Sequence, residues 1–334
     1  MGASGGNLLV DRFGRQVNYL RISVTDRCDF RCVYCMAEEM TFVPRKEILS
    51  LEELALVCRA FVELGVNKIR LTGGEPLVRK NIQSLVSDLS LLPGLKELSL
   101  TSNGSQLSHL ATPLFQAGLN RINISLDTLN PEKFKDITRT GNLEKVLSGI
   151  EAAKKAGFNK LKLNSVILKG RNDDEILDLA EFAVKNDYDL TFIEEMPLGY
   201  IDEHERDKCF ISSEEIRARL SSVYKLDASP ETSGGPARYY YAKGESTRFG
   251  FISPHSENFC SSCNRVRVTA EGCLLLCLGN EHSIDLRAIT RKHPGDVNVL
   301  KEAIVGAMAL KPERHHFNNE ETPQIVRFMN ATGG

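Results

Sequence analysis

The sequence lacks the features that would take it to a membrane. None of its apolar runs approaches the roughly 18 residues needed to cross a bilayer. The Gly/Ser-rich N-terminus reaches only Leu8, Leu9 and Val10 before Asp11, which is too short a run for a signal peptide. It also lacks an excess of charge, since 42 Lys and Arg stand against 44 Asp and Glu. We therefore expect a soluble cytoplasmic protein, with an organelle matrix left open, that coats neither nucleic acid nor a membrane surface.

Two nucleotide-binding signatures are missing as well. The chain has no P-loop, and no predicted strand leads into a G-x-G-x-x-G turn. These absences argue against a nucleotide kinase and a dehydrogenase. With 334 residues, 42% of them hydrophobic, the chain is nevertheless long enough for about two domains with a sizeable core.

Cysteine is the one residue type that stands out. The nine cysteines form an early group and a late group, and two stand apart: Cys28, Cys32 and Cys35; Cys260, Cys263, Cys273 and Cys277; Cys58 and Cys209. An odd count without an export signal argues against disulfides, and clustered cysteines in a reducing compartment indicate metal binding. We expect Cys58 to be a small core residue and Cys209 to have no role.

The first two thirds of the chain alternate strand-like and helical patterns. The helix predicted at 51–64 is typical, because Ser50 and Glu53 form a capping box and Gly65 stops it. Further helices are predicted at 143–156 and 174–185. The predicted strands lie at 20–24, 68–71, 97–101, 121–125, 161–166 and 190–193. Six strand-then-helix units predict an α/β fold with a parallel sheet, either doubly wound or curled into a barrel.

The polarity of the strands favours the barrel. A parallel strand packed on both faces is almost continuously apolar, but one parity of these strands is polar. The polar positions are Arg21, Ser23, Arg70, Thr72, Ser99, Thr101, Asn103, Asn123, Ser125, Asp127, Lys162 and Asn164. We predict an incomplete (β/α)6 TIM-type barrel whose basic lumen binds an anion. The alternative is an antiparallel-type sheet with one solvated face.

After the sixth strand the pattern changes. Turn-forming residues at 227–236 predict a linker. Short antiparallel strands are predicted at 238–242, 248–252 and 266–269, before a helix around 297–309. We therefore divide the chain into a partial barrel, 7–226, and a C-terminal cysteine domain, 227–334, that closes the barrel.

The early cysteines have the spacing C-x3-C-x2-C just after the first strand, at the mouth of the barrel. Three thiolates on one loop suit three irons of a four-iron cluster and leave the fourth iron open. A zinc site is the alternative, but it needs a fourth ligand, and the nearest histidine is His109. This spacing resembles the signature of the radical S-adenosylmethionine superfamily.

A glycine-rich turn strengthens the resemblance. The run T-G-G-E-P at 72–76, which alone would be a simple turn, follows the second strand as it does in that superfamily. Its glycines would let backbone carbonyls approach an ammonium group without a side chain in the way.

The late cysteines indicate which family within that superfamily the sequence resembles. Cys260 and Cys263 belong to C-x2-C-N-R-x-R, and Cys277 follows after 13 intervening residues. This resembles the auxiliary-cluster domain of the GTP 3′,8-cyclases, the first enzymes of molybdenum cofactor biosynthesis. The resemblance runs nearly end to end, through D-R-F-G-R at 11–15, R-I-S-V-T-D-R at 21–27 and the terminal Gly-Gly.

Three positions depart from the family's pattern. Asp29 and Ala37 stand where the family usually shows Asn and Pro. Cys273 is an additional thiol, so the choice between it and Cys277 as the third auxiliary ligand stays open.

The resemblance implies two [4Fe-4S] clusters, S-adenosylmethionine and GTP. It assigns the first cluster to Cys28, Cys32 and Cys35 and the auxiliary cluster to Cys260, Cys263 and Cys277. It assigns S-adenosylmethionine to Tyr34, Gly74, Ser125 and Met196. It assigns GTP to Arg21, Arg70, Thr101, Lys162, Arg265, Val266 and Arg267, with the first three cysteines, Arg265 and Arg267 as catalytic residues. Without that context, each Arg or Lys would be a solvated surface charge and Met196 a core residue.

The implied reaction is a radical cyclisation by a lyase. A 5′-deoxyadenosyl radical removes hydrogen from C3′ of GTP, and the ribose carbon bonds to C8 of guanine. The auxiliary cluster's open iron is expected to face the guanine. The resemblance implies that the tail Gly333-Gly334 reaches into the active site, whereas the residues alone indicate a frayed tail, and both alternatives stay open. The implied partners are an electron donor such as a flavodoxin system and, downstream, cyclic pyranopterin monophosphate synthase. A homodimer is left open.

Two rivals remain at this point. Another radical enzyme with an auxiliary cluster, such as a peptide-modifying one, would share both cysteine groups but would not need a basic lumen. A non-enzymatic zinc protein is the rival from a different class. The pair His315-His316 has no ligand spacing with an acidic residue, so we expect a solvated or packing role for it.

Overall fold

Twelve strands form one sheet in the computed structural model, which describes residues 8–199, 201, 204–231, 234–256, 259–280, 282–315 and 325–333. The strands are β1 (Tyr19–Ser23), β2 (Lys68–Thr72), β3 (Glu97–Ser102), β4 (Arg121–Ser125), β5 (Lys162–Val166), β6 (Asp189–Ile193), β7 (Leu226–Ala228), β8 (Arg238–Ala242), β9 (Arg248–Ile252), β10 (Arg265–Val268), β11 (Cys273–Leu275) and β12 (Ser283–Asp285).

The helices follow the strands as the sequence predicted. They are α1 (Leu51–Glu63), α2 (Ile82–Ser90), α3 (Leu107–Gln116), α4 (Pro131–Thr138), α5 (Leu143–Ala156), α6 (Ile176–Asn186), α7 (Arg206–Cys209), α8 (Ser213–Ser221), α9 (Leu286–Lys292), α10 (Val297–Ala307) and α11 (Met329–Thr332). Short 3-10 turns lie at Arg45–Glu47, Pro76–Val78, Asp173–Glu175, Cys260–Ser262 and Met308–Leu310. The capping box of α1 is present, with the Ser50 hydroxyl accepting from the Glu53 N–H at 3.1 Å.

Strands β1 to β6 are parallel and lie side by side in chain order. This arrangement confirms the six strand-then-helix units and the mixed α/β fold. Within the described residues the sheet stays open, in the order β12-β11-β10-β1-β2-β3-β4-β5-β6-β9-β8-β7.

The C-terminal strands extend the sheet at both edges. They pair with one another in antiparallel fashion, β8 with β7 and β9, and β11 with β10 and β12, as predicted. Two pairings were not predicted: β10 runs parallel to β1, and β9 runs parallel to β6. The sequence could not give these pairings because they join segments far apart in the chain.

The polar parity of the barrel strands is largely buried. Ser99 is 0% exposed, Asn123 4% and Lys162 5%. The alternative of a solvated sheet face is therefore wrong, and these side chains line the inside of the curled sheet. The opposite parity, represented by Leu20 and Ile69, packs into the apolar core beneath the helices.

The sheet continues across the boundary drawn at residue 226. Strand β7 begins there and occupies the start of the predicted linker. The division into 7–226 and 227–334 stays a prediction. No helix in the described ranges is both long and apolar enough to cross a membrane.

A close approach of α5 to the end of β3 gives a test of the packing. A Cβ on Gly149 of α5 would lie 2.3 Å from the carbonyl oxygen of Gly104, whereas a Cβ on Gly306 of α10 would meet nothing within 4 Å. We expect Gly149→Ala to lower the free energy of unfolding by about 1–3 kcal/mol through overpacking. Gly306→Ala should raise it by about 0.4–1 kcal/mol. Urea midpoints measure both, and equal midpoints for the two variants would contradict the close packing.

Candidate active site

The first cavity lies at the carboxyl ends of the barrel strands. Cys28, Cys32 and Cys35 line it together, with half-buried side chains. The cavity opens to solvent and contains about 1180 Å³ of space not filled by protein atoms. The structure thus brings the three early cysteines to the wall of one cavity.

The cysteine loop is held by its own backbone and by α4. The Phe30 N–H donates to Cys28 Sγ at 3.3 Å, and the Arg31 guanidinium donates to the Cys28 carbonyl at 2.7 Å. The main-chain N–H of Arg31 also donates to the Thr138 carbonyl at the end of α4, at 2.9 Å. These bonds fix the turn that presents the three thiols to the cavity.

Asp29, one of the departures from the family's pattern, is accommodated by the loop after β3. Its carboxylate accepts from Asn103 Nδ2 at 2.7 Å and from the Ser105 hydroxyl at 2.6 Å. The side chain at this position therefore ties the cysteine loop to the neighbouring strand.

The glycine-rich turn packs against the start of the cysteine loop. A Cβ on Gly74 would lie 2.3 Å from the Arg27 carbonyl oxygen, and the Gly74 N–H donates to the Thr25 carbonyl at 2.9 Å. The sequence suggested that glycine leaves room for a ligand. The structure adds a reason within the chain, because any side chain at 74 would collide with residues 26–27.

The residues that the resemblance assigned to S-adenosylmethionine all line the first cavity: Tyr34, Gly74, Ser125 and Met196. The Tyr34 hydroxyl donates to Asp127 Oδ2 at 2.7 Å, and the other oxygen of Asp127 accepts from the Val166 N–H at 2.8 Å. Burial raises the pKa of Asp127 to about 6.

The thiols of the first cavity fit a cationic centre. Burial raises the pKa of all three, and that of Cys35 reaches about 12. Free thiolates are therefore costly there, and bound iron would supply the missing positive charge. In a four-iron cluster each cysteine thiolate binds a different iron, so the three sulfurs need not meet at one point. In agreement with this, no three Cys, His, Asp or Glu side chains among the described residues converge on a single metal position.

The second cavity, of about 1140 Å³, is lined by Cys260, Cys263 and Cys277. Cys273 stands outside its lining, at the first position of β11 opposite Asp285 of β12. Burial would raise the pKa of Cys263, but the nearby cations Lys311 and Arg265 lower it below its ordinary value. The thiolate of Cys263 is thus favoured, whereas burial raises the pKa of Cys277 in the same cavity.

Basic residues stand in two rows across β10, β1 and β2. Arg267 is opposite Arg21, which is opposite Arg70. In the next row Arg265 is opposite Tyr19, which is opposite Lys68. All six side chains line the second cavity. Lys162 reaches the same cavity from β5 and donates to the Tyr239 hydroxyl at 2.8 Å.

The pKa of Tyr19 shows how positive this cavity is. Burial would raise that pKa, but the neighbouring cations, Arg70 first, lower it to about 7. The Arg70 Nε donates to the Tyr19 hydroxyl at 2.6 Å. Burial and the nearby Arg21 and Arg265 also lower the pKa of Arg267 well below its usual value. Such a cluster of cations suits a polyanion.

Two of the residues assigned to GTP do not direct their side chains into the second cavity. Thr101 lines the first cavity, although its hydroxyl accepts from Arg70, which lines the second. Val266 has the opposite parity to Arg265 and Arg267, and its side chain is 1% exposed in the core. Only its main chain is left to face the second cavity.

The two cavities share a wall. Asn164, Ile193, Met196 and Met329 line both of them. A molecule in the first cavity and a molecule in the second would therefore be neighbours. Met196 was an assigned residue, whereas Met329 of α11 was not, because no local pattern signals that the tail returns to the barrel.

The tail enters the site up to the last described residue. The carbonyl oxygen of Gly333 accepts from the Arg267 guanidinium and from Arg21 Nη2, the latter at 3.4 Å. The Met329 N–H donates to the Cys35 carbonyl at 3.3 Å. Gly333 thus contacts two arginines that the resemblance assigned to GTP. A role of the tail in the active site stays a prediction, and Gly334 lies outside the described residues.

Sequence reasoning missed several residues of the second cavity. Tyr19 and Lys68 share the parity of Arg21 and Arg70, a signal that was available. His315 is 8% exposed and its Nδ1 lies 3.0 Å from Cys260 Sγ, so a solvated role is wrong for it. The packing role stays open, since the His315 ring lies beside Phe259, with 6.0 Å between ring centroids. His316 lies outside the described residues. Cys58 is fully buried in the core, as predicted.

Comparisons with known proteins agree with this geometry. The family model "Radical SAM superfamily" matches residues 22–183, and "Molybdenum Cofactor Synthesis C" matches residues 188–317. The GTP 3′,8-cyclase of Pseudomonas entomophila is 63% identical over 327 residues, covering 98% of both chains. That of Saccharophagus degradans is 61% identical over 326 residues, again covering 98% of both.

A solved structure supports the fold. Streptococcus suis SuiB bound to S-adenosylmethionine has a TM-score of 0.59 at 13% identity, covering 95% of this chain and 78% of that one. The partial barrel and its cysteine loop define a radical S-adenosylmethionine protein. With the similarity to its curated relatives, the chain belongs to the GTP 3′,8-cyclase family.

The second cavity predicts which thiol completes the late group. Cys277 lines it and Cys273 does not. Cys277→Ser should therefore reduce the iron of the reconstituted protein to about one four-iron cluster per chain, whereas Cys273→Ser should leave it at about two. Iron and acid-labile sulfide per chain measure this. The reverse pattern would transfer the ligand to Cys273.

Proposed function

We propose that this chain is a GTP 3′,8-cyclase. It converts GTP to (8S)-3′,8-cyclo-7,8-dihydroguanosine 5′-triphosphate, the first step of molybdenum cofactor biosynthesis. The observation that carries the proposal is the pair of three-cysteine cavities that share a wall, one of them lined by two rows of cations. The relatives named for this activity support the same function.

Two [4Fe-4S] clusters and S-adenosylmethionine are the cofactors. The residues to hold them are Cys28, Cys32 and Cys35 for the first cluster and Cys260, Cys263 and Cys277 for the auxiliary one. Bound there, the first cluster would supply the electron that cleaves S-adenosylmethionine to a 5′-deoxyadenosyl radical, which would remove hydrogen from C3′. After C3′ bonds to C8, a second electron, supplied through the auxiliary cluster, and a proton would complete the product. Tyr34, Gly74, Ser125 and Met196 are the proposed contacts of S-adenosylmethionine.

The rows of cations bind the triphosphate. A triphosphate carries about four negative charges near neutral pH, and Arg and Lys are the usual phosphate ligands. Arg21, Arg267 and Arg70 form one row, and Arg265 and Lys68 flank Tyr19 in the next. Lys162 approaches from the other side of the lumen. This placement would orient the nucleoside toward the shared wall.

The shared wall is where the reaction takes place. Asn164, Ile193, Met196 and Met329 separate the two cavities, so a ribose held there would lie next to a ligand of the first cavity. Holding the reacting groups in contact is the main contribution of the protein. The mainly apolar wall also limits the access of water to a reactive carbon.

Peptide-modifying radical enzymes would share both cysteine groups. The buried cation rows distinguish this chain from them, since a peptide offers no triphosphate. The non-enzymatic zinc alternative has no support from the relatives. We further propose a cytoplasmic enzyme that takes electrons from a flavodoxin-type donor and passes its product to cyclic pyranopterin monophosphate synthase. A homodimer stays a prediction.

Reconstitution with a labelled substrate tests the function. The chain is loaded anaerobically with iron and sulfide and given S-adenosylmethionine, dithionite and GTP deuterated at C3′. One deuterium should appear in 5′-deoxyadenosine. The nucleotide product gains one proton from solvent and one electron, so it has the mass of unlabelled GTP and is separated from it by chromatography. Because of its C3′–C8 bond, it should keep its base attached to ribose on fragmentation. Unlabelled 5′-deoxyadenosine with unchanged GTP would exclude the cyclase.

The first cysteine group gives a direct prediction. Cys32→Ala removes one of three ligands, so it should abolish cleavage of S-adenosylmethionine while the auxiliary cluster still assembles, at about half the parent's iron. Release of 5′-deoxyadenosine and iron content are measured on the same preparation. Cleavage at the parent's rate would show that this loop is not the site.

The cation rows give a second prediction. Arg267→Ala removes one charge-assisted phosphate contact, which typically costs about 1.5–3 kcal/mol, or roughly ten- to a hundredfold in affinity for GTP. Both clusters and uncoupled cleavage of S-adenosylmethionine should persist, so cyclised product per 5′-deoxyadenosine should fall. Calorimetric titration with GTP measures the affinity.

Two further variants serve as controls for Arg267→Ala. Arg265→Ala removes a cation from the other row, and should weaken GTP binding to a similar extent. Arg59→Ala removes an exposed arginine that pairs with Glu63 on α1 at 2.8 Å, and should leave GTP affinity unchanged. Parent-like GTP affinity in Arg267→Ala would exclude this arginine from the substrate site.

A further inference from the structure

A lysine is buried beside the auxiliary cysteines. Lys311 follows the 3-10 turn Met308–Leu310 and is 1% exposed. No sequence motif marks it, although its charge is one of those that lower the pKa of Cys263. A lysine is almost never fully buried unless its charge is compensated, so its surroundings indicate what it serves.

All groups that contact the Lys311 ammonium are hydrogen-bond acceptors. Nζ donates to the Leu276 carbonyl at 2.6 Å, to the Arg265 carbonyl at 2.9 Å and to Cys263 Sγ at 3.8 Å. These three acceptors match the three N–H groups of an ammonium. Leu276 precedes Cys277, so Lys311 contacts one auxiliary cysteine and the neighbour of another.

The charge of Lys311 has no carboxylate to balance it. Its contacts within the described ranges are two neutral carbonyls and one sulfur, and no ion pair between described residues includes it. An unbalanced buried cation is strongly unfavourable. Among the described residues, the negative charge next to this ammonium comes from the cysteine sulfurs or from what they bind.

The surroundings of the early cysteines are different. There Cys28 Sγ lies 4.0 Å from a carboxylate oxygen of Asp29, and the Glu75 carboxyl is also close enough to influence it. In the second cavity an ammonium donates directly to a cysteine sulfur. Near the early cysteines the Arg31 guanidinium bonds to the Cys28 carbonyl instead, and a carboxylate oxygen lies beside the Cys28 sulfur. Charge and hydrogen bonds at the sulfurs are among the factors that set the potential of an iron–sulfur cluster.

We propose that Lys311 is the internal counter-cation of the auxiliary cluster and raises its reduction potential. This inference rests on the proposed function in one respect, namely that Cys260, Cys263 and Cys277 hold a cluster. Reduction adds a negative charge, and a buried ammonium beside Cys263 favours the more negative form. Lys311 is a positioning residue in this sense, because it acts through the cluster and its ligands and does not touch the substrate.

The experiment is a potentiometric titration of the full-length, anaerobically reconstituted chain, followed by electron paramagnetic resonance. A variant with Cys28, Cys32 and Cys35 all changed to Ala identifies the auxiliary signal. Lys311→Gln keeps two N–H donors for the two carbonyls but removes the charge. Lys311→Met removes the charge and the N–H donors, and Lys311→Arg keeps the charge. Lys301→Gln is the matched control, since Lys301 pairs with Glu63 on α1 at 3.0 Å.

The proposal requires a shift confined to one cluster. In Lys311→Gln and Lys311→Met the auxiliary midpoint should become more negative while the midpoint of the first cluster stays at the parent's value. Lys311→Arg and Lys301→Gln should leave both midpoints near the parent's. If the neutral variants instead lose auxiliary iron that the arginine variant retains, the need for a charge is supported.

Two results would overturn the proposal. One is an auxiliary midpoint equal to the parent's in Lys311→Gln or Lys311→Met with both clusters present. The other is loss of auxiliary iron in all three Lys311 variants, including Lys311→Arg. That result would show that the lysine is needed for the local structure and not for its charge. A parent protein with iron for a single cluster is a distinct outcome, because it would contradict the proposed function itself and the inference with it.

Discussion

The parallel pairing of β10 with β1 is the contact on which the site depends. Its register sets Arg267 opposite Arg21, so a strand from late in the chain adds its cations to those of the barrel. The same strand begins two residues after Cys263, which brings the late cysteines to the lumen edge. A shift of one residue in this register would turn Arg265 and Arg267 into the apolar core.

Local pattern was enough to predict the barrel. Strands and helices of the first two thirds follow from periodicity, and the polar parity that carries Arg21 and Lys162 anticipated a lined lumen. Local pattern did not predict that β10 pairs with β1 and β9 with β6, or that Met329 lies at the shared wall. These contacts join residues that are distant in sequence. No sequence pattern indicates a role for Lys311. Its proposed role depends on three acceptors that only the folded chain brings together, the Cys263 sulfur and the carbonyls of Arg265 and Leu276.

Resemblance and geometry contribute different information about the same residues. The resemblance assigned Thr101 and Val266 to the substrate together with the arginines. In the structure Thr101 lines the first cavity and the Val266 side chain packs in the core, so any contact by Val266 is through its backbone. Cys273 is the opposite case, since family spacing left it as an open alternative and its place outside the second cavity favours Cys277.

The cations of the second cavity differ in their partners, and only some of them face a carboxylate: Lys68 forms an ion pair with Glu97 at 3.0 Å. Arg70 bonds to the hydroxyls of Tyr19 and Thr101, and Lys162 to that of Tyr239, none of which is a carboxylate. The Gly333 carbonyl on Arg267 offsets only part of this repulsion, since a neutral dipole cannot replace an anion. A polyanion that binds here relieves the repulsion, so its binding stabilises the folded chain by mass action. The repulsion among these cations is thus the physical reason to expect a polyanion in this cavity.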